Sequence, residues 1–269
     1  LPAAAEREDD CMLFNSTEFA VFLALVLFAY FVLIGARHPR ARKGLLLVAS
    51  YAFYMSWNPW FGALLAFSTG LDFALGLAIE RARPPRRRLL LLVSVVSNLG
   101  LLGFFKYGGF LSQNWSVLFG LAPDAPLLAF FDVALPVGIS FYTFQTMSYT
   151  LEVYWGRERA CRSLADFALY VSFFPQLVAG PIVRPRDLLP QLAVPPTLAP
   201  SDWEYGSLRL ALGLVKKVVF ADTLGALADR CFEAPEPVAW PILLLGVYAY
   251  AYQIYFDFSG YSDIAIGSA

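Results

Sequence analysis

One segment carries most of the side chains that could do chemistry. Tyr248, Tyr250, Tyr252, Gln253, Tyr255, Asp257, Ser259, Tyr261, Ser262 and Asp263 follow one another among apolar residues. At helical spacing Gln253, Asp257 and Tyr261 fall on one i, i+4 line. A polar line on an apolar helix implies a lined cavity or a buried hydrogen-bond network, and the residues alone leave both open. Gly260 is placed to break the helix and expose backbone groups. Asp72 is a second candidate, a carboxylate in an otherwise uncharged stretch. The plain expectation for it is a buried ion pair with an Arg or Lys of a neighbouring helix. Gln145 and Thr146 lie in a third polar patch, and Glu152 is expected to pair with a loop arginine. His38 is the single histidine. It precedes a proline, stands among arginines, and lacks the orienting partner a general base needs.

Familiar catalytic patterns are absent. The sequence has no GxSxG, HExxH, Walker lysine or GxGxxG. Cys11, Cys161 and Cys231 are far apart and form neither a disulfide framework nor a zinc site; no metal is expected. The formal net charge of -1 leaves no basic excess for nucleic acid.

The elements that must position these residues belong in a membrane. The 269 residues are 58% hydrophobic and 15% charged, against about 25% charged in soluble domains. Uncharged runs cover 19–36, 44–71, 89–105, 133–151, 167–183 and 237–256. A spanning helix needs roughly 20 mainly apolar residues, and six such runs leave too little polar surface to cover a soluble fold. The expected fold is an all-α polytopic transmembrane helical bundle with re-entrant and interfacial helices.

Basic loops set the expected topology. Arg37, Arg40, Arg42 and Lys43 form the first cluster. Arg81, Arg83, Arg86, Arg87 and Arg88 form the second, Arg157, Arg159 and Arg162 the third, and Arg184 and Arg186 a fourth. Short basic loops stay cytoplasmic, which puts the N-terminus outside. The stretch 44–79 is too long for one span, so a break is expected at Trp57-Asn58-Pro59-Trp60. Residues 107–126 are expected as an outer loop, and 127–152 as the returning span with a kink at Pro136. The run 165–186 contains Pro175, Gly180 and Pro181, which suits a re-entrant element better than one helix. Residues 201–230 are expected as an amphipathic helix at the interface, and a last span begins at Pro237. Residues 1–11 read as an upstream extension, with Met12 as the natural start.

Two long stretches go beyond composition. FALYVSFFPQLVAGPIVRPRDLLPQL (167–192) and YAYQIYFDFSGYSDIAIG (250–267) resemble the membrane-bound O-acyltransferase family, in its alginate O-acetylation branch. MLFNSTEF at 12–19, YAFYMSWNPWF at 51–61, LPVGISFYTFQTMSYTLEVYWG at 135–156 and GLVKKVVFADTL at 213–224 resemble that branch in the same order. The resemblance implies a multi-pass protein of the bacterial inner membrane. Its implied activity moves acyl groups, acetyl above all, from a cytoplasmic donor such as acetyl-CoA. Extracytoplasmic acetyltransferase partner proteins then place them on an exported polysaccharide. No bound cofactor is implied. The branch's acyl-transferring histidine stands in a Trp-Arg-Arg-Trp-His-like motif beyond Ala269, so no position here inherits the catalytic role. Residues 12–269 then form the N-terminal part of a single membrane-embedded acyltransferase domain, truncated at its C-terminal end. Gln253, Asp257, Ser259, Tyr261 and Asp263 would line the tunnel. Pro175, Gln176, Gly180, Pro181 and Arg184 would form a re-entrant wall near the cytoplasmic entrance. Peptidoglycan or cellulose acetylation shares the same motifs, and D-alanyl transfer is the nearest related activity. Transporter and membrane scaffold are the readings from other classes.

Overall fold

Hydrophobic runs and proline punctuation become helices in the computed structural model, which describes residues 12, 14–34, 38–119, 134–178, 180–194, 199–234 and 239–269. Among these residues every regular element is helical. Three helices are long and apolar enough to cross a membrane: Thr17–Ile34, Pro59–Arg81 and Arg86–Ser112. The chain separates into two compact units, one of residues 1–42, 179–181 and 195–269, the other of 43–178 and 182–194.

In the first unit, α1 (Thr17–Phe28) continues through a π-helical stretch, Ala29–Ile34. Ser16 caps it, its hydroxyl accepting from the Phe19 amide at 3.1 Å. Helix α9 (Pro200–Leu214) runs through a second π segment (Val215–Ala221) directly into α10 (Asp222–Phe232). This long rod lies antiparallel to α11 (Trp240–Ser268): Gly206 meets Gly267, Gly213 meets Gly260, and Cys231 meets Gly246. Small residues let two backbones approach where lipid supplies no hydrophobic drive between helices. Gly260 therefore sits inside an unbroken helix. Its missing side chain serves a close approach, not the helix break that its type suggested.

The second unit contains most of α2 (Pro39–Met55), α3 (Pro59–Arg81), α4 (Arg86–Phe119), α5 (Ile139–Trp155), α6 (Leu164–Ser172), α7 (Phe174–Leu177) and α8 (Pro185–Ala193). The break between α2 and α3 falls where Asn58-Pro59 places it. Pro59 opens α3, and the Asn58 side chain accepts from the Trp60 amide at 3.0 Å. Tyr54, Leu65, Ile79, Tyr142, Tyr149 and Phe167 form the centre of the core. Leu89, Leu92, Val96 and Leu99 of α4 remain exposed on its outer face.

Two loop expectations are corrected. Residues 107–119 continue α4 as helix, because nothing before Phe119 removes an amide or caps the chain; 120–133 lie outside the described residues. Pro136 makes no kink, since it precedes the helix. Gly138 adopts φ 73° just before α5, and a Cβ there would come within 2.6 Å of the Leu177 carbonyl oxygen.

Basic residues from three of the clusters gather at one end of this unit. Lys43 pairs with Asp166 at 2.6 Å, and Arg162 pairs with Glu80 at 2.5 Å. The Arg87 guanidinium donates to the carbonyls of Val153 and Tyr154 at the end of α5, where the last carbonyls of a helix lack their i+4 amides. The start of α2, end of α3, start of α4 and end of α5 thus share one end. Residues 44 and 79 therefore lie at the same end, as do 89 and 152. Glu152 meets Arg157 at 3.9 Å, as its position suggested.

Candidate functional site

The polar face of α11 is divided among several partners. Asp263, its side chain 6% exposed, takes salt bridges from both Arg209 and Lys216. Lys216 also donates to the Ser259 hydroxyl at 3.0 Å. Lys217 bridges Asp257 and Asp222, each at 2.9 Å. Gln253 packs on Gly225, where a Cβ would fall 2.7 Å from its amide nitrogen. The Tyr261 ring packs on Phe14 with centroids 4.4 Å apart.

The line Gln253, Asp257 and Tyr261 therefore does not act as one surface. Each of its residues meets a different segment, while Ser259 and Asp263 sit together roughly half a turn from Asp257. Three cations (Arg209, Lys216, Lys217) meet three carboxylates (Asp222, Asp257, Asp263). The array is self-compensated and holds no surplus charge for an anionic donor. The described contacts of these side chains are ion pairs and hydrogen bonds. Asp257 and Asp263 stood out in the sequence; the cations that hold them did not.

A second polar cluster lies in the core of the other unit. Asp72 is fully buried. It accepts from the Ser94 hydroxyl at 2.7 Å and from the Asn98 amide at 3.1 and 2.8 Å, one bond to each carboxylate oxygen. Thr146 donates to the Asn98 side-chain oxygen Oδ1 at 3.3 Å, and the Ser94 and Thr150 hydroxyls lie 3.1 Å apart. No cation reaches Asp72 among the described residues, so the expected ion pair is corrected to a set of neutral donors. Ser94 and Asn98 were missed as site residues. Their signal was an i, i+4 polar pair inside an apolar run, and it pairs with Asp72 only once α3 and α4 lie side by side.

The broken segment 165–186 shows how its backbone is satisfied. In a continuous helix the Phe174 amide would donate to the Tyr170 carbonyl. Instead the Phe174 amide donates to the Ser50 hydroxyl at 3.2 Å. The freed Tyr170 carbonyl accepts from Gln145 at 2.7 Å and from Gln176 at 2.9 Å. Pro175 follows with no amide to satisfy. Residues 167–177 are all buried, which is the condition for irregular backbone at membrane depth. Pro175 and Gln176 thus build a packed wall. Arg184 stands exposed at the start of α8 with no carboxylate partner among the described residues. Gly180 and Pro181 group with the other unit.

His38 is exposed at the start of α2, and its carbonyl accepts from the Arg42 amide. Among the described residues no three His, Cys, Asp or Glu side chains gather as a metal site would need. Burial pushes the Cys161 thiol above the ordinary thiol range, so it is protonated at neutral pH. Its sulfur donates to the Ser163 carbonyl. These helices hold walls, ion pairs and a sealed backbone break.

Comparison with known proteins gives this scaffold a context. Residues 157–269 match the model of the membrane-bound O-acyltransferase family. A Pseudomonas putida protein named "Probable alginate O-acetylase AlgI" is 41% identical over 266 residues, covering 95% of this chain and 52% of its own length. The protein of the same name in Pseudomonas aeruginosa is also 41% identical over 266 residues, covering 95% of this chain and 48% of its own. A "Peptidoglycan O-acetyltransferase" of Helicobacter pylori is 33% identical over 285 residues, covering 95% and 53%. The chain thus spans about half the length of the curated relatives it matches.

Proposed function

Because this chain belongs to the membrane-bound O-acyltransferase family, we propose that it forms part of an enzyme carrying acyl groups across the bacterial inner membrane for O-acetylation of an exported polysaccharide such as alginate. The observation that carries this reading is 41% identity to alginate O-acetylases along 95% of the chain. The peptidoglycan relative, at 33%, supports the second reading, acetylation of the cell-wall polymer.

In this proposal the donor is a cytoplasmic acyl thioester such as acetyl-CoA, and extracytoplasmic partner proteins finish the transfer. The acyl-transferring histidine belongs to sequence beyond Ala269, and residues 12–269 supply the earlier part of the same membrane domain. His38 takes no part, being exposed and without an orienting carboxylate among the described residues. The basic end of the second unit faces the cytoplasm and the N-terminus lies outside.

The test deletes the gene from its host, restores it, and measures O-acetyl ester on secreted uronate polymer and on peptidoglycan. Loss and recovery of polymer acetate support the first reading. Loss confined to peptidoglycan selects the second, and unchanged acetate on both overturns the proposal. Restoration with 1–269 alone should leave acetate at the deletion level. Full transfer by that piece, abolished by His38→Ala, would remove the case for a later histidine.

A further inference from the structure

Some of the cations at the basic end of the second unit are consumed by the fold. Lys43, Arg87 and Arg162 all have partners there. Arg81, Arg83 and Arg86 do not: none meets a carboxylate among the described residues. These three arginines line one cup of about 730 Å³ at the turn between α3 and α4, with Ala78, Leu89 and Leu90 as its apolar side. Leu89 is 60% exposed, and Leu92, Val93 and Val96 continue from it as exposed residues of α4. Spacings of three, four and seven place them on one helix face. A cationic cup thus opens at the end of an apolar strip.

We propose that this cup binds the phosphodiester headgroup of an anionic membrane phospholipid, with an acyl chain lying along Leu89, Leu92, Val93 and Val96. Guanidinium forks match pairs of phosphate oxygens. The cup has the size of an ordinary small-ligand site. Basic recesses between membrane helices at the cytoplasmic side favour such headgroups. A soluble phosphate compound would meet the same guanidinium groups but gain nothing from the apolar strip, so the lipid is the better match. The site is independent of which group the protein transfers.

The experiment uses the full-length protein in detergent, titrated with phosphatidylglycerol or phosphatidylcholine and followed by native mass spectrometry. Phosphatidylglycerol should bind at least about fivefold more tightly than phosphatidylcholine. Arg83→Gln and Arg86→Gln should each weaken it about fivefold, while Arg88→Gln, an exposed arginine outside the cup, should change it less than about twofold. Leu89→Gln should also weaken lipid binding, and glycerol 3-phosphate should not compete. Equal losses at Arg88 and Arg83 would show diffuse surface charge and overturn the site. So would equal binding of the two lipids. Full competition by glycerol 3-phosphate, with Leu89→Gln silent, would replace the lipid by a soluble phosphate ligand and overturn the proposal as stated.

Discussion

Replacing Gly213 by alanine puts a carbon atom 2.6 Å from the Gly260 carbonyl oxygen, 2.6 Å from Ile264 Cγ1 and 2.8 Å from the Ile264 amide nitrogen. Two of these three atoms are backbone and have no rotamer to escape into. Ordinary contact begins near 3.4 Å, so α9 and α11 must part by about 0.8 Å. Overpacking of this kind costs about 1–3 kcal/mol, and alanine returns about 0.5–1 kcal/mol through its better helix propensity. The net loss should be about 1–2 kcal/mol, or a fall in Tm of roughly 2–8 °C for a protein of this size. Gly260→Ala should behave alike, since its Cβ would lie 2.8 Å from the Gly213 carbonyl oxygen. Gly100→Ala is the control, because nothing lies within 4 Å of a Cβ there; it should keep or raise Tm. The assay is thermal unfolding in detergent, with reaction of buried Cys231 by a thiol dye as reporter. Gly213→Ala melting at or above Gly100→Ala would refute close approach at this crossing.

The buried cluster around Asp72 gives a second test. Asn98→Leu removes donors from both carboxylate oxygens and leaves Asp72 with the Ser94 hydroxyl, so stability should fall by about 1–3 kcal/mol. Asp72→Leu in the same background should then cost much less than it does alone, and strictly additive losses in this double-mutant cycle would show the two side chains do not act together. Orientation is tested by Pro85→Cys, at the turn between α3 and α4. Its thiol should react with impermeant maleimide only from the cytoplasmic side, and labelling from outside would reverse the topology.

Much of the fold was legible because membrane helices obey few rules. Apolar runs mark helices, and Asn58-Pro59 marks the break that the structure shows. Proline and glycine in 165–186 signalled an interrupted segment, and the interruption is there. The sequence could not say how it is sealed, because Ser50 and Gln145 come from distant helices and their partners are backbone atoms. The Asp72 error has the same origin. An uncharged stretch around a carboxylate suggests a cation from elsewhere, but Ser94 and Asn98 on the next helix supply neutral donors. Gly260 was misread because local rules give glycine one meaning, a weakened helix. Its actual role depends on Gly213, forty-seven residues away.

Charge shows most clearly where sequence and structure divide the work. In sequence every loop arginine or lysine carries the same information, which side of the membrane its loop occupies. In the structure those cations separate by what they touch. Arg87 completes the end of α5, Lys43 and Arg162 hold carboxylates, Arg209 and Lys216 share Asp263, and Lys217 holds both Asp222 and Asp257. A paired cation that turns to an incoming anion gives up its contact with a carboxylate, and that loss offsets what the new contact returns. Cations free to meet a ligand are therefore those the fold leaves unmatched. In the second unit these include Arg81, Arg83 and Arg86, which share a cup, and Arg184, which stands exposed at the head of α8. The donor's phosphates and the membrane's own phosphates are the anions at hand on that side in the proposed orientation. Neutralising Arg184 should then affect donor use without changing lipid binding, and neutralising Arg83 should do the reverse. Arg184→Gln and Arg83→Gln compared for donor KM and for phosphatidylglycerol affinity would decide it, and the same pattern from both variants would dissolve the distinction.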